Sequence, residues 1–428
     1  MSSIQSLNAQ NIESNQAQIY MEQRIQNITI ENSLVSLKTT SKLKPTQVEK
    51  ASQQIWSLWK SVNDKIEKLP ELSSSRSLPD TMQRWSMIGE DDMPFYFVRK
   101  GGVANGEKYP LFLNLHGSGP KAQEIKATLA WSMRYADGSS LYFIPQIPNE
   151  KRYRWWFKPE QYAWEKLFRL AMLDTLIDAN KIYITGISEG GYGSQRLGAF
   201  YADYLAGVGP MAGGEPLKNA PPLNYRNVAF SFETGENDLG FGRNKLTALA
   251  ATTFDSLEKS NPGDFVHKIV LQSGKGHGID YTKTTPWLVK YKRNSHPNHI
   301  SWVHFPMHER YRKGFYNIAI EEPLNIKEGE ALDRAFFDIQ FDKRNNTIKI
   351  ESYLTDGDLV RKEKHHSGSI AVYLSNQYVD FSKKVKVIYN GKSIYNSKVK
   401  LTVENLVESC ALYGDPYRLF PAKISVRL

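Results

Sequence analysis

The sequence predicts an α/β protein: a mostly parallel sheet flanked by helices, followed by an all-β module. Three observations lead there. Between Lys108 and about Trp302, apolar runs alternate with helical patterns, which is how a parallel sheet covered on both faces is written. From about Phe315 to the end, only short strand-like segments follow. Within the alternating region, KIYITGISEGGYG (181–193) runs from a buried strand into a crowd of glycines, with Ser188 at the change.

The chain has 428 residues, which at about 150 residues per domain suggests two or three units. Residues 1 to about 45 are rich in Ser, Asn and Gln and read as an arm or as short helices on a larger body. Segment 46–69 starts at Thr46 and places Val48, Ile55, Trp56, Trp59 and Val62 near helical spacing, so an amphipathic helix is expected. MQRWSMIG and MPFYFVRKGG read as strands joined by an acidic turn. YPLFLNLHGSG and LYFIPQIP are strands, WEKLFRLAMLDTLID is a helix, and KIYITGIS is a strand. YGSQRLGAFYADYLA is a helix, VAFSFETGEND a strand, KLTALAATTFDSLEK a helix and HKIVLQSG a strand. The last part holds GFYNIAIEE, RAFFDIQFD, NTIKIESYL, SIAVYLS, KVKVIYNG and KISVRL. The expected organisation is an N-terminal arm with helices over 1–80, an α/β domain over 81–312, and a β-sandwich-like module over 313–428.

Composition excludes several classes. Hydrophobic residues make up 40% and charged residues 23%, ordinary for a soluble globular protein. No apolar run is long enough to cross a bilayer. The first twenty residues lack a basic stretch followed by an apolar one, so no signal peptide is expected in the chain as given. Cys410 is the one cysteine, which rules out an intramolecular disulfide and argues against a cysteine-based metal site. The net charge is +10, but its cations are scattered among acids. The densest cluster, KRYRWWFK (151–158), carries no nucleic-acid-binding signature. A solvated basic surface is the simpler reading.

Ser188 sits where a strand ends and a helix begins, the edge at which open α/β sheets bind ligands. Gly186-Ile187-Ser188-Glu189-Gly190 fits G-x-S-x-G. The flanking glycines permit a sharp turn that projects the hydroxyl and aims the Glu189 N–H at a bound carbonyl oxygen. A serine nucleophile needs a base and an orienting acid. Of nine histidines, His277 lies in a glycine-rich loop just past the last strand of the alternating region. His116, in LHGSG, is placed to shape an oxyanion loop. His296, His299, His304 and His308 read as packing or surface residues, and HPNH is a weak metal pattern. For the acid, FETGENDLGF offers Asp238, with Glu236 a close competitor.

These residues resemble the α/β-hydrolase superfamily, and more closely the bacterial esterases related to polyhydroxyalkanoate depolymerases, feruloyl esterases and acetylxylan esterases. The resemblance rests on YPLFLNLHGSG, DANKIYITGISEGGYGS, ETGENDLGF and GKGHGIDY and covers about the middle half of the chain. It implies the α/β-hydrolase fold, with Ser188 as nucleophile, Asp238 as acid and His277 as base. It also implies oxyanion N–H groups from Glu189 and from Gly117 or Ser118, a serine esterase activity without metal or organic cofactor, and a periplasmic or secreted setting. The family often carries His or Gln where Glu189 stands. The expected substrate is an acetyl or feruloyl ester on a plant polysaccharide. Trp155 and Trp156 would wall the substrate site, with Arg152 or Arg154 and His116 beside them. The alternatives are a prolyl-oligopeptidase-like serine peptidase and a non-catalytic protein on a hydrolase scaffold. No nucleic acid and no membrane span are expected.

Overall fold

A computed structural model describes residues 15–27, 37, 41–73, 82–149, 151 and 154–428. Two helices open it, α1 (15–26) and α2 (Val48–Ile66). The buried face of α2 carries Ile55, Trp59 and Val62, the spacing expected of an amphipathic helix.

The central sheet has eight strands: β1 (Gln83–Trp85), β2 (Met93–Lys100), β3 (Tyr109–Leu115), β4 (Ser140–Pro145), β5 (Ile177–Ile187), β6 (Gly207–Met211), β7 (Ala229–Gly235) and β8 (His267–Gln272). Their order is β1-β2-β4-β3-β5-β6-β7-β8. β2 runs antiparallel to both neighbours, and every pairing from β4 to β8 is parallel. Five helices cover the sheet: α3 (Lys121–Arg134), α4 (Lys158–Leu173), α5 (Glu189–Phe200), α6 (Arg243–Ser260) and α7 (Thr284–Leu288). The two-residue period of a strand divides the core. Leu111, Leu113 and Leu115 of β3 pack with Trp164, Leu197 and Phe254 of α4, α5 and α6. Phe112 points the other way, into a cluster with Ile125 and Leu129 of α3 and Leu288 of α7.

Ten further strands follow: β9 (His299–His304), β10 (Gly314–Phe315), β11 (Ile318–Glu322), β12 (Arg334–Asp342), β13 (Thr347–Thr355), β14 (Lys362–Glu363), β15 (Ser369–Leu374), β16 (Val385–Tyr389), β17 (Lys392–Ser397) and β18 (Ala422–Arg427). They form a sheet of order β17-β16-β13-β12-β9, with β14 beside β13, and a second sheet of order β10-β11-β15-β18. His299 and His304, read from sequence as packing or surface residues, lie on strand β9, paired residue for residue with β12. The C-terminal part also contains a helix, α8 (Val403–Tyr413), which packs on α2.

An ionic network ties this part to the α/β body. Arg418 donates to Asp203 and Asp415, Arg312 to Asp203, and Arg293 to Asp415 with both amino groups. Arg293, Arg418, Asp203 and Asp415 are all sealed from solvent. Burial alone would raise both aspartates, yet the guanidinium groups hold each below the ordinary carboxylate range.

Candidate active site

The strand order reverses direction at β3 and β5, and their carboxyl ends form the crevice where ligands bind in such sheets. Ser188 follows β5 directly with φ 56° and ψ −115°, a strained conformation for a residue with a side chain. Its N–H donates to the Met211 carbonyl at the end of β6, which fixes the turn. The flanking glycines are obligatory for contact reasons. A Cβ on Gly186 would overlap the Gly190 carbonyl, and one on Gly190 would overlap the Leu115 carbonyl. Helix α5 begins at Glu189, so its first N–H groups have no intrahelical acceptor.

The structure brings Ser188, His277 and Asp238 together. His277 Nε2 lies 3.0 Å from Ser188 Oγ, and His277 Nδ1 lies 2.7 Å from Asp238 Oδ2. The Asp238 side chain is 3% exposed and that of His277 46%. The loop holding His277 is zipped to the end of β7: Asn237 N–H donates to the Lys275 carbonyl, and Glu236 N–H to that of Gln272. Glu236, the competing carboxylate, faces elsewhere. It accepts from the Gly274 N–H and the Ser273 hydroxyl, both at 3.0 Å, and these bonds hold its carboxyl below the usual range.

Sequence reasoning missed Arg243. Its guanidinium donates to the other Asp238 oxygen at 2.9 Å and so balances a buried carboxylate. The pair spans five positions in sequence across a loop, a spacing that carries no helical signal. That loop also exposes two apolar side chains, Leu239 at 72% and Phe241 at 86%. Arg243 lies 5.1 Å over the Phe241 ring and 5.8 Å over that of Tyr192.

His116 is fully buried and contacts no solvent, so it is not a substrate-binding residue. Its Nε2 accepts from the Ile147 N–H at 3.0 Å, which leaves the proton on Nδ1 to donate to the Gly117 carbonyl at 2.6 Å. Burial lowers its pKa to about 4, so the ring is neutral at pH 7. It braces the loop that carries Gly117, whose Cα lies against Ser188: a Cβ there would be 3.4 Å from the serine Cβ. Ser118 is exposed on the same loop.

The expected tryptophan wall is corrected. Trp155 is fully buried beneath the site, its Nε1–H donating to the His116 carbonyl at 3.2 Å. Trp156 is 8% exposed, with Arg196 4.0 Å and Arg154 5.6 Å over its ring. Two guanidinium groups therefore lie against the ring, and little of it reaches solvent. Arg152 lies outside the described residues. Arg154 donates to Glu189 at 3.0 Å, so the unusual acid after the serine is paired. Burial raises the Glu189 pKa, and Arg154 opposes that rise. Among the described residues, no group of three His, Cys, Asp or Glu side chains is placed to hold a metal.

The strained turn at Ser188 and the strand order together decide the architecture. The chain has the α/β-hydrolase fold. No protein-family model matches the chain. Over 143 residues it is 32% identical to the poly(3-hydroxyalkanoate) depolymerase C of Paucimonas lemoignei, covering 30% of this chain and 33% of the relative. It is also 32% identical over 144 residues to NocK of Nocardia uniformis subsp. tsuyamanensis, a protein named as an esterase, covering 29% and 38%. The chain thus spans little more than a third of the length of these curated relatives. Among solved structures it is similar to a thermostable esterase, with 19% identity, 50% of this chain and 64% of that one covered, and a TM-score of 0.36. It is likewise similar to a ferulic acid esterase of Anaeromyces mucronatus, with 15% identity, 51% and 100% coverage, and a TM-score of 0.33.

Proposed function

We propose that the chain is a serine hydrolase that cleaves carboxylic esters, with Ser188 as nucleophile, His277 as general base and Asp238 orienting it. The observation that supports this most is the unbroken hydrogen-bonded series from Asp238 through His277 to a strained serine, at 2.7 and 3.0 Å. As Ser188 Oγ attacks the carbonyl carbon, its proton passes to His277 Nε2. Asp238 keeps the other proton on Nδ1 and stabilises the imidazolium that forms. The N–H of Glu189 and that of Gly117 or Ser118 hold the oxyanion. His277 then protonates the departing alcohol, and a water molecule repeats the steps to release the acid. A relative named as a poly(3-hydroxyalkanoate) depolymerase agrees with an ester as the bond cleaved.

For the substrate, we favour a feruloyl-type aromatic ester of a plant polysaccharide over an acetyl ester. Exposed Phe241, held by Arg243 beside Tyr192, offers an aromatic acyl group a stacking surface at the rim. The test has two parts. Ser188 should react with a fluorophosphonate and hydrolyse p-nitrophenyl acetate, and Ser188→Ala should do neither. Phe241→Ala should raise KM for methyl ferulate while leaving p-nitrophenyl acetate unchanged. Faster turnover of a peptide anilide than of either ester would favour the peptidase reading instead.

A further inference from the structure

A cavity of about 110 Å³ lies where the N-terminal helices, the catalytic body and the C-terminal part meet, near Trp59 of α2 and Tyr413 of α8. It is far from Ser188. Tyr204, in its wall, follows the C-terminal end of α5, while Ser188 caps the N-terminal end. The twelve residues of α5 separate the two by about 18 Å at 1.5 Å per residue.

The wall is strongly basic. Arg24, Arg169, Arg310, Arg312 and Lys313 line it, with Glu165 as the one lining carboxylate. Glu165 pairs with Arg310, Glu67 stands behind Arg169, and Asp203 behind Arg312. Four arginines thus line the wall, and three carboxylates are paired with three of them. Two of those carboxylates are shared with further cations, Lys166 and Arg418.

An independent observation points the same way. Trp59 is 1% exposed, and its indole N–H is buried with no acceptor among the described residues. An indole nitrogen is a donor only. A buried donor without an acceptor is costly, and here it belongs to a side chain lining a cation-rich cavity. An anionic oxygen acceptor would satisfy that donor and suit the arginine-rich wall. We infer that this cavity binds a small tetrahedral oxyanion, of the phosphate or sulfate class, free or as the terminal group of an ester. Arginine forks suit that geometry, since each presents paired donors to two oxygens of the anion. Because the wall draws on α1, α2, α4 and α8, the anion would bridge segments far apart in sequence and stabilise their docking.

The test uses the full chain and inorganic phosphate or sulfate, with sodium chloride adjusted to hold ionic strength constant. Ligand that binds only the folded state raises Tm in step with the logarithm of its concentration once that exceeds Kd. The expected result is a Tm that rises with phosphate or sulfate and not with chloride. Trp59→Phe keeps most of the ring and removes the N–H. It should shift the response to about tenfold higher anion concentration, the effect of losing one charge-assisted hydrogen bond. Arg24→Gln should do the same, each variant read against its own baseline. Broadening of the phosphate phosphorus resonance by wild-type chain, and less by Trp59→Phe, is the second readout. Equal Tm in oxyanion and chloride would overturn the inference, as would variants that respond like the wild type.

Discussion

Replacing Asp238 with asparagine tests the proposed mechanism at its most structure-specific point. Arg243 already donates to Asp238 Oδ1 at 2.9 Å, and a guanidinium has no acceptor. The asparagine must therefore give its carbonyl to Arg243 and turn its amide nitrogen toward His277. His277 Nδ1, 2.7 Å away in the wild type, would then have to accept a hydrogen bond. Its proton moves to Nε2, which faces Ser188 and can no longer take the serine proton. An inverted tautomer of this kind costs on the order of ten-thousandfold in turnover, about 5 kcal/mol of barrier. The assay is p-nitrophenyl acetate hydrolysis, with circular dichroism to show that the fold persists. Adding Arg243→Met to Asp238→Asn frees the amide to flip, and part of the activity should return. Activity of Asp238→Asn within about tenfold of wild type, together with a crippled Glu236→Gln, would refute the assignment.

Three other outcomes follow from the geometry. Ser188→Ala should lose on the order of a millionfold in turnover. Ser188→Gly should also be inactive but more stable by about 1 kcal/mol, because glycine accepts the positive φ, and denaturant titration reads that gain. Trp155→Ala should destabilise the fold by about 3–5 kcal/mol and slow small and large esters alike. A selective loss on large esters would restore the tryptophan to the substrate wall. The buried Asp203 and Asp415 have depressed folded-state pKa values, so their stabilisation is complete above the unfolded carboxylate pKa of about 4 and is lost as pH falls below it. Tm should be level near neutrality and fall below about pH 4, less steeply in Asp415→Asn; a Tm unchanged down to about pH 3 would contradict the network's role.

Legibility in the sequence followed burial pattern. The strands around Leu111–Leu115 and Ile182–Ile187 were readable because a parallel strand buried on both faces is a continuous apolar run. β6 was not, since GVGPM has two glycines and a proline in five residues. Those glycines exist because α7 packs close: a Cβ on Gly209 would meet the Thr284 methyl, and one on Gly207 would lie 2.8 Å from a Leu288 methyl. Helix α4 begins at Lys158, earlier than its apolar pattern, with Pro159 in its first turn. Its expected end was too late, because Ile177 already belongs to β5. Helix α3 was missed, and only four of its fourteen residues are buried. Helix α8 was missed inside a run of strands, although its cap was written: Thr402 accepts from the Asn405 N–H, and Gly414 takes φ +57° beyond its end.

The site divides along a similar line. Ser188, Asp238 and His277 each follow a strand of the central sheet, so locating the strands located the chemistry. The substrate wall had no such rule, and the error there is instructive. The glycine crowd after Ser188 and the tryptophan pair before α4 were read as separate features, one serving a turn and the other a ligand. They meet at one point, Gly193. Gly186 and Gly190 serve the turn itself, and a Cβ on Gly191 would lie 2.6 Å from the Met211 carbonyl. Gly193 has another reason: a Cβ there would stand 2.7 Å from that of Trp155. The last glycine of the motif makes room for the indole, and the indole in turn holds the His116 carbonyl with its N–H. Trp155 therefore acts on the proposed oxyanion loop from beneath. An adjacent aromatic pair in sequence does not reveal which ring faces water, because that depends on a helix thirty-odd residues away.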